Sequence, residues 1–482
     1  MTRKYISDFI GLNEIKKLER DKDYLIKAGC GAGKSTFVKK VLLKYCLKND
    51  LNLLYLTNRS NAREKAILEF NKIIGNHKNK DNIKIATYQS YNNIDFDEYQ
   101  IIVLDECQYM ITEGWNNIAT ELKDILQDTL ATRIHMSGTP ELWMDMFDMD
   151  KSEWEVLFDE DEYEGVEKLP IHKVYQCNND MQLLNEVKVN QLNGYKTLIM
   201  CRDKDKAYRY SGLFEDSAFI CSQYDNMGYR NYIDKETMCM LNEQEKLNKT
   251  VVFSTSAIQT AININDDKYN LLGITDYFYK DDIIQMVYRK RKQLNTDKLD
   301  IIVVDPSNKS LAKRLDWSRY YNNILQLAYY NDEDRIINLL LQTRKNKKYI
   351  PKCLSVLDNG EVVLDYAQVE FEKAELEWLE EISKKGYTRA IADLFNAELV
   401  MVDSNKLKLE LIEKFMDKRL FKAEQIELEK LLRVYYGYNE RTFGLKRANA
   451  FLEYKGIPFQ LISKRVKVNN KLYRVWELVD KN

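Results

Sequence analysis

Short apolar runs alternate with stretches of helical period from about residue 20 to residue 305. "DYLIKAG" reads as a strand entering a turn, and "TFVKKVLLKYCLKN" places its apolar residues at helical spacing. "LNLLYLT" is a buried strand and "RSNAREKAILEFNKII" a helix, with "NIKIATY", "QIIVLDE" and "RIHMSG" as further strands. Strand and helix in alternation predict a parallel sheet covered by helices. A second set of β-rich runs begins after residue 170: "KTLIMC", "SAFICS", "TVVFSTS", "YNLLGIT" and "LDIIVVD". The acidic stretch "FDEDEYEGVE" between the two sets reads as a solvated joint. Beyond "DPSNKS" the period is mostly helical to residue 435. "TFGLKRANAFLEYKG" then reads as a helix ended by Gly456, and the last segment as strands with a turn at Asn469 and Asn470. The expected architecture is α/β. One lobe covers residues 1–160, a similar one 161–306, and a mainly helical C-terminal region 307–482 ends in a helix and hairpin.

Composition narrows this. A chain of 482 residues is too long for one core. The net charge of −2 means that any nucleic-acid binding has to come from local patches. With 5 prolines and 17 glycines, long disordered linkers are not expected. No apolar run approaches 18 residues, so no membrane partner is expected. The N-terminus lacks an apolar signal core, and the 8 cysteines form no CxxC pair, which favours a reducing cytoplasm. Three histidines make a histidine-rich metal site a poor reading.

The chemistry concentrates in two places. "KAGCGAGKST" lies between a strand and a helix, where a glycine-rich loop turns its N–H groups toward phosphate oxygens. Gly29, Gly31 and Gly33 let the backbone curl. Lys34 would reach the β- and γ-phosphates, Ser35 would ligate Mg²⁺, and Thr36 adds a hydroxyl at the helix start. Some 70 residues on, "IIVLDECQ" ends a buried strand in two carboxylates. Asp105 would hold Mg²⁺ by way of a water, and Glu106 would deprotonate the attacking water. The alternatives are a glycine-rich turn and a strand ending in solvated acids.

These residues resemble a family. "AGCGAGKS" fits the helicase form of the loop, AxxGxGK[ST], with Ala28 first. "DECQ" is similar to the DEAD/DEAH-type box of superfamily 2 helicases, and "MSGTP" to their Ser-Ala-Thr motif with Gly138 in the middle. "LLYLTNRSNARE" and "ATYQS" resemble the segments that touch the nucleic-acid backbone, which implies contacts from Thr57, Asn58, Arg59, Thr87 and Gln89. Ordinary turn and N-cap chemistry is the other reading of those five. The resemblance implies two RecA-like lobes in tandem, with Gln108 linking the ATP site to Ser137 and Thr139.

In the second lobe "VVFSTSAIQTAININD" resembles the fifth motif, with Thr255 leading it, Ala261 at its glycine and Asn263 at its polar position. "IIQMVYRKRK" resembles the sixth motif, QxxGRxxR. Gln285 and Arg289 match, Tyr288 and Lys292 depart, and Arg291 stands one place early. The implied role is an arginine finger, Arg289 first and Arg291 second, or else a solvated basic run. Residues 441–482 hold ten Lys or Arg against three Asp or Glu, interleaved with aromatics. Lys464, Arg465 and Lys467 on the hairpin would grip phosphates in what looks like a winged-helix element, unless they only solvate a surface. The leading expectation is an ATP- and Mg²⁺-dependent motor, with DNA as partner rather than RNA. The motif wording looks like helicases of phages and mobile elements, which suggests DNA replication in a bacterial host, with replication partners. An RNA helicase and an ATP-switched assembly factor stay open.

Overall fold

The computed structural model describes residues 4–29, 31–112, 119–147, 154–163, 169–222, 228–255, 262–291, 297–329, 354–356, 362–364, 366–402, 412–436, 438, 442–468 and 471–481. Ala261, Lys292, Asn469 and Asn470 lie outside them, as do parts of the acidic joint.

The first lobe is a six-stranded sheet of β1 (Asp23–Lys27), β2 (Leu53–Thr57), β3 (Ile83–Thr87), β4 (Ile101–Asp105), β5 (Thr132–Ser137) and β6 (Glu155–Asp159). The order is β3-β2-β4-β5-β1-β6 and every pairing is parallel. Side chains alternate across it. Tyr24, Ile26, Tyr55 and Val103 face one core with the helices after β1 and β2, while Leu25, Leu54, Leu56 and Leu104 face another. The register aligns the strand ends: Lys27 opposite Ser137, Thr57 opposite Thr87, Asp105 opposite Met136. Motifs far apart in sequence therefore meet along one edge.

The second lobe is built on β7 (Ile171–Cys177), β8 (Lys196–Met200), β9 (Ser217–Ile220), β10 (Val251–Ser254), β11 (Tyr269–Ile274) and β12 (Leu299–Val304), with β15 (Glu398–Met401) from the C-terminal region as the seventh strand. The sheet is wholly parallel, in the order β15-β7-β12-β11-β8-β10-β9. Two parallel sheets in tandem agree with the expected RecA-like pair.

The C-terminal third holds the expected helical region, and short strands are added to it. After a short antiparallel pair, β13 (Leu354–Val356) and β14 (Val362–Leu364), the helix Tyr366–Lys385 bridges both lobes. Gln368 Nε2 donates to the Ile111 carbonyl of the first lobe at 3.0 Å, and Trp378 Nε1 to the Phe278 carbonyl of the second at 3.4 Å. One apolar core runs from Leu104 and Trp143 through Trp378 and Leu379 to Leu272 and Ile301. Then β15 (Glu398–Met401) joins the second sheet beside β7. A four-residue edge strand has little periodicity of its own, and its pairing is set by the sheet that receives it. The final segment has a separate core of Leu428, Leu432, Ala448, Leu452, Phe459 and Leu478. Its helices Lys422–Tyr436 and Leu445–Tyr454 precede the hairpin β16 (Phe459–Val468) and β17 (Lys471–Asp480).

Candidate functional site

The glycine-rich loop follows β1 directly. Gly31 and Gly33 have φ of +97° and +94°, which side chains rarely tolerate. Ala28 is buried, with its N–H on the Ser137 carbonyl at 2.8 Å, so its methyl belongs to the core. Lys34 starts the helix and is buried. Its Nζ donates to the Ala28 carbonyl at 2.6 Å and pairs with Glu106 Oε1 at 3.0 Å.

β4 delivers the acid pair. Burial first, and then the charge of Glu106, raise Asp105 to about 6. Burial also works to raise Glu106, but Lys34 and Arg289 outweigh it and hold that carboxyl below its usual range. Glu106 is therefore ionised at neutral pH and able to accept a proton. Its φ is +53°, a left-handed conformation uncommon for a residue with a side chain. Tyr55 donates to Asp105 Oδ2 at 2.5 Å, and the Tyr88 hydroxyl to the Asp105 carbonyl at 2.9 Å. Ser35 and Asp105 offer hard oxygen donors, which suit Mg²⁺.

At the end of β5, Ser137 Oγ accepts from the Thr139 N–H at 2.9 Å. A Cβ on Gly138 would come within 3.1 Å of Gly29 Cα, which explains glycine where the family has alanine. Gln108 Nε2 donates to Glu106 Oε2 at 2.9 Å, while its buried Oε1 has no hydrogen-bond partner. The expected link from Gln108 is thus made on the Glu106 side and not to Ser137 or Thr139. The reason is that the amide's donor end is turned to the carboxylate.

The second lobe supplies the facing wall. Backbone bonds from Ile264 N to the Arg289 carbonyl (2.8 Å) and from Arg291 N to the Ile264 carbonyl (3.0 Å) hold residues 289–291 extended. Alternation then turns Arg289 and Arg291 to the cavity, and Lys290 inward to the Tyr269 carbonyl. Arg291 Nε donates to Asn263 Oδ1 at 3.1 Å, and its guanidinium covers Gly31 so closely that a Cβ there would collide with it. Gln285 accepts from the Tyr109 hydroxyl across the lobes. Tyr288 packs edge-on against Phe395 at 6.3 Å, so the C-terminal region fills the space beside this departure. Between the walls lies a cavity of about 730 Å³, with Gly31, Lys34, Asp105 and Glu106 on one side and Asn263, Arg289 and Arg291 on the other.

Residues 3–142 match the sequence model of the family described as "Type III restriction enzyme, res subunit". The match covers the whole phosphate loop, the acid pair and the end of β5, so the first lobe is similar to that family over these residues. Among solved structures the chain is similar to S. cerevisiae Dbp5 bound to RNA and ADP BeF3, at 14% identity and a TM-score of 0.43, over 60% of this chain and 81% of that one. It is also similar to the Mycobacterium smegmatis helicase Lhr bound to single-stranded DNA and AMP-PNP, at 12% identity and a TM-score of 0.42, over 60% of this chain and 44% of that one. No curated protein matches.

The first lobe turns part of the expected nucleic-acid face inward. Thr57 and Asn58 are only 2% and 9% exposed and line the cavity between the walls. They sit on the inner turn between β2 and its helix, so they are not placed as outward contacts. Thr255 is 6% exposed, its N–H bonded to the Ile220 carbonyl at 3.1 Å. Arg59 is half-buried, Gln89 is exposed, and the Thr87 hydroxyl meets Ser90 Oγ at 2.9 Å, as in a local turn. On the hairpin the register puts Arg465 opposite Arg474, with Lys467 on the same face. Lys464 falls on the other face and pairs with Glu477 at 2.5 Å. Among the described residues no helix is long and apolar enough to cross a membrane.

Sequence reasoning missed Tyr5, Tyr55, Lys65, Tyr109 and Glu245, all of which line the cavity. Tyr55 lies within β2, where strand alternation could have found it, and Tyr109 follows the acid-pair motif by one residue at the start of a helix. Lys65 and Glu245 carry no local signal.

Proposed function

We propose that this protein is an ATP-driven nucleic-acid motor, a helicase or translocase acting on DNA. The observation that carries the reading is the single cavity with a phosphate loop and acid pair on one wall and two arginines on the other. ATP would lie with its phosphates against the loop amides and Lys34. Bound at Ser35 and Asp105, Mg²⁺ would neutralise phosphate charge. Glu106, which Lys34 and Arg289 keep ionised, would accept the proton of the attacking water. Arg289 meets the charge that develops on the γ-phosphate, which ties turnover to the approach of the lobes. The outward strand ends of the first lobe and the Arg465, Lys467 and Arg474 face of the hairpin offer surfaces for the phosphate backbone. Replication of a phage or mobile element in a bacterial cytoplasm is the setting that the motif wording suggests.

The test is ATP turnover with no nucleic acid, single-stranded DNA, duplex, forked DNA and RNA. DNA should stimulate turnover most. Turnover that ignores every nucleic acid sinks the motor and leaves an ATP switch. Stimulation by RNA alone replaces DNA with RNA. Replacing Arg465 and Lys467 with alanine should weaken DNA binding and its salt dependence, while Lys464→Ala should not.

A further inference from the structure

Glu245 breaks two local rules at once. It ends the helix Lys235–Gln244 with φ +56° and ψ 32°, a left-handed cap that favours glycine or asparagine. It also puts a carboxylate at the helix end whose dipole repels it. A residue kept there against both preferences is held for its side chain.

That side chain is fully engaged. Oε1 accepts from Asn263 Nδ2 at 2.9 Å and pairs with Lys65 Nζ at 3.5 Å, and Oε2 accepts from Asn265 Nδ2. The Glu245 carbonyl takes the Asn265 N–H at 2.6 Å. With its oxygens so occupied, the carboxylate is better suited to hold neighbours than to bind a ligand. Asn263 is the neighbour that matters. An ionised carboxylate only accepts and a guanidinium only donates. Glu245 on one side and Arg291 on the other therefore force a single orientation of the Asn263 amide, nitrogen toward Glu245 and oxygen toward Arg291. Turned the other way, the amide would present N–H groups to the guanidinium. Arg291 in turn covers Gly31 of the phosphate loop.

We infer that Glu245 is a positioning residue: through Asn263 it sets Arg291 over the phosphate loop, and through Lys65 it ties that assembly to the first lobe. The inference rests on the ATP-motor reading above. Lys65 belongs to the helix Ser60–Ile74, which begins right after Arg59. A shift of that helix on strand binding would pull on Glu245 and reach Arg291 without passing through the acid pair.

The experiment compares Glu245→Gly, Arg291→Ala and the double variant. Glycine suits the left-handed cap and offsets part of the lost contacts, so the melting temperature of Glu245→Gly should stay within about 5 °C of the wild type. Its turnover should fall about 100-fold, the scale of a misplaced reacting group, with KM for ATP changed less than about threefold. In the Arg291→Ala background the same change should cost almost nothing further. Glu245→Gly turnover within about twofold of wild type, or losses that multiply in the double variant, would overturn the relay. Lys34→Ala is measured alongside. If wild-type turnover does not depend on Lys34, the ATP-site reading has failed, and the relay falls with it.

Discussion

The two walls of the nucleotide cavity each hold a glutamate in a left-handed backbone, Glu106 at +53° and Glu245 at +56°. They differ in what surrounds them. Glu106 stands at a strand end, facing Lys34, Gln108 and the charge of Arg289. Glu245 ends a helix and is held by Asn263, Asn265 and Lys65. In the proposed mechanism the strain at Glu106 would aim a base, and that at Glu245 another side chain. The walls differ in construction too. The first is the edge of one sheet whose strand ends lie in register. The second is two chain segments laced by backbone bonds around Ile264. The first wall is fixed by sheet register, and the second by a few backbone bonds between two segments.

The largest effects should come from the first wall. Lys34→Ala and Glu106→Gln should each lower steady-state ATP turnover by about a thousandfold or more. Residual turnover within about tenfold would put the chemistry elsewhere. Next comes the second wall. Arg291→Lys keeps the charge but loses the fork held by Asn263, and turnover should fall about 100-fold. Gly138→Ala probes how rigid the first wall is. Its methyl would press on Gly29, and KM for ATP should rise about threefold to tenfold with the fold intact.

The smallest effect concerns stability where the walls meet. Asp281 is buried, and burial first, with Glu141 and Asp282 adding repulsion against the pull of Lys280 and Thr139, raises it to about 7. The folded chain then keeps a proton that the unfolded chain releases near 3.8. Stability contributed at low pH is lost as pH rises from about 4 to about 7. Asp281→Asn cannot ionise, so it should stabilise the protein by about 1–3 kcal/mol at pH 8 and not at pH 4, read from denaturant unfolding. Equal gains at both pH values would remove ionisation as the cause.

The first wall was legible in the sequence because each of its motifs is the last residue or two of an apolar strand. The loop from Gly29, the acids after "IIVL" and Ser137 all announce themselves this way. Thr57 and Asn58 announce themselves the same way, yet both are buried on the cavity side. They end β2 correctly, but which way their turn points depends on the neighbouring strands. Glu245 and Lys65 were illegible, because their meaning comes only from a contact between residues 180 positions apart in different lobes. The bridging helix Tyr366–Lys385 and the added strand β15 were equally hidden. A helical period names a buried face without naming what covers it. The register of Lys464 against Arg465 followed once the hairpin pairing was fixed.

The claim that both walls make one ATP site is tested most directly with wild-type protein and Arg289→Ala, side by side, at saturating single-stranded DNA. Binding of a fluorescent ATP analogue and turnover of ATP are both measured. Binding should stay within about tenfold of wild type, and turnover should fall by about a thousandfold. Equal turnover in the two proteins would mean that the second lobe takes no part in the chemistry, and would contradict that claim.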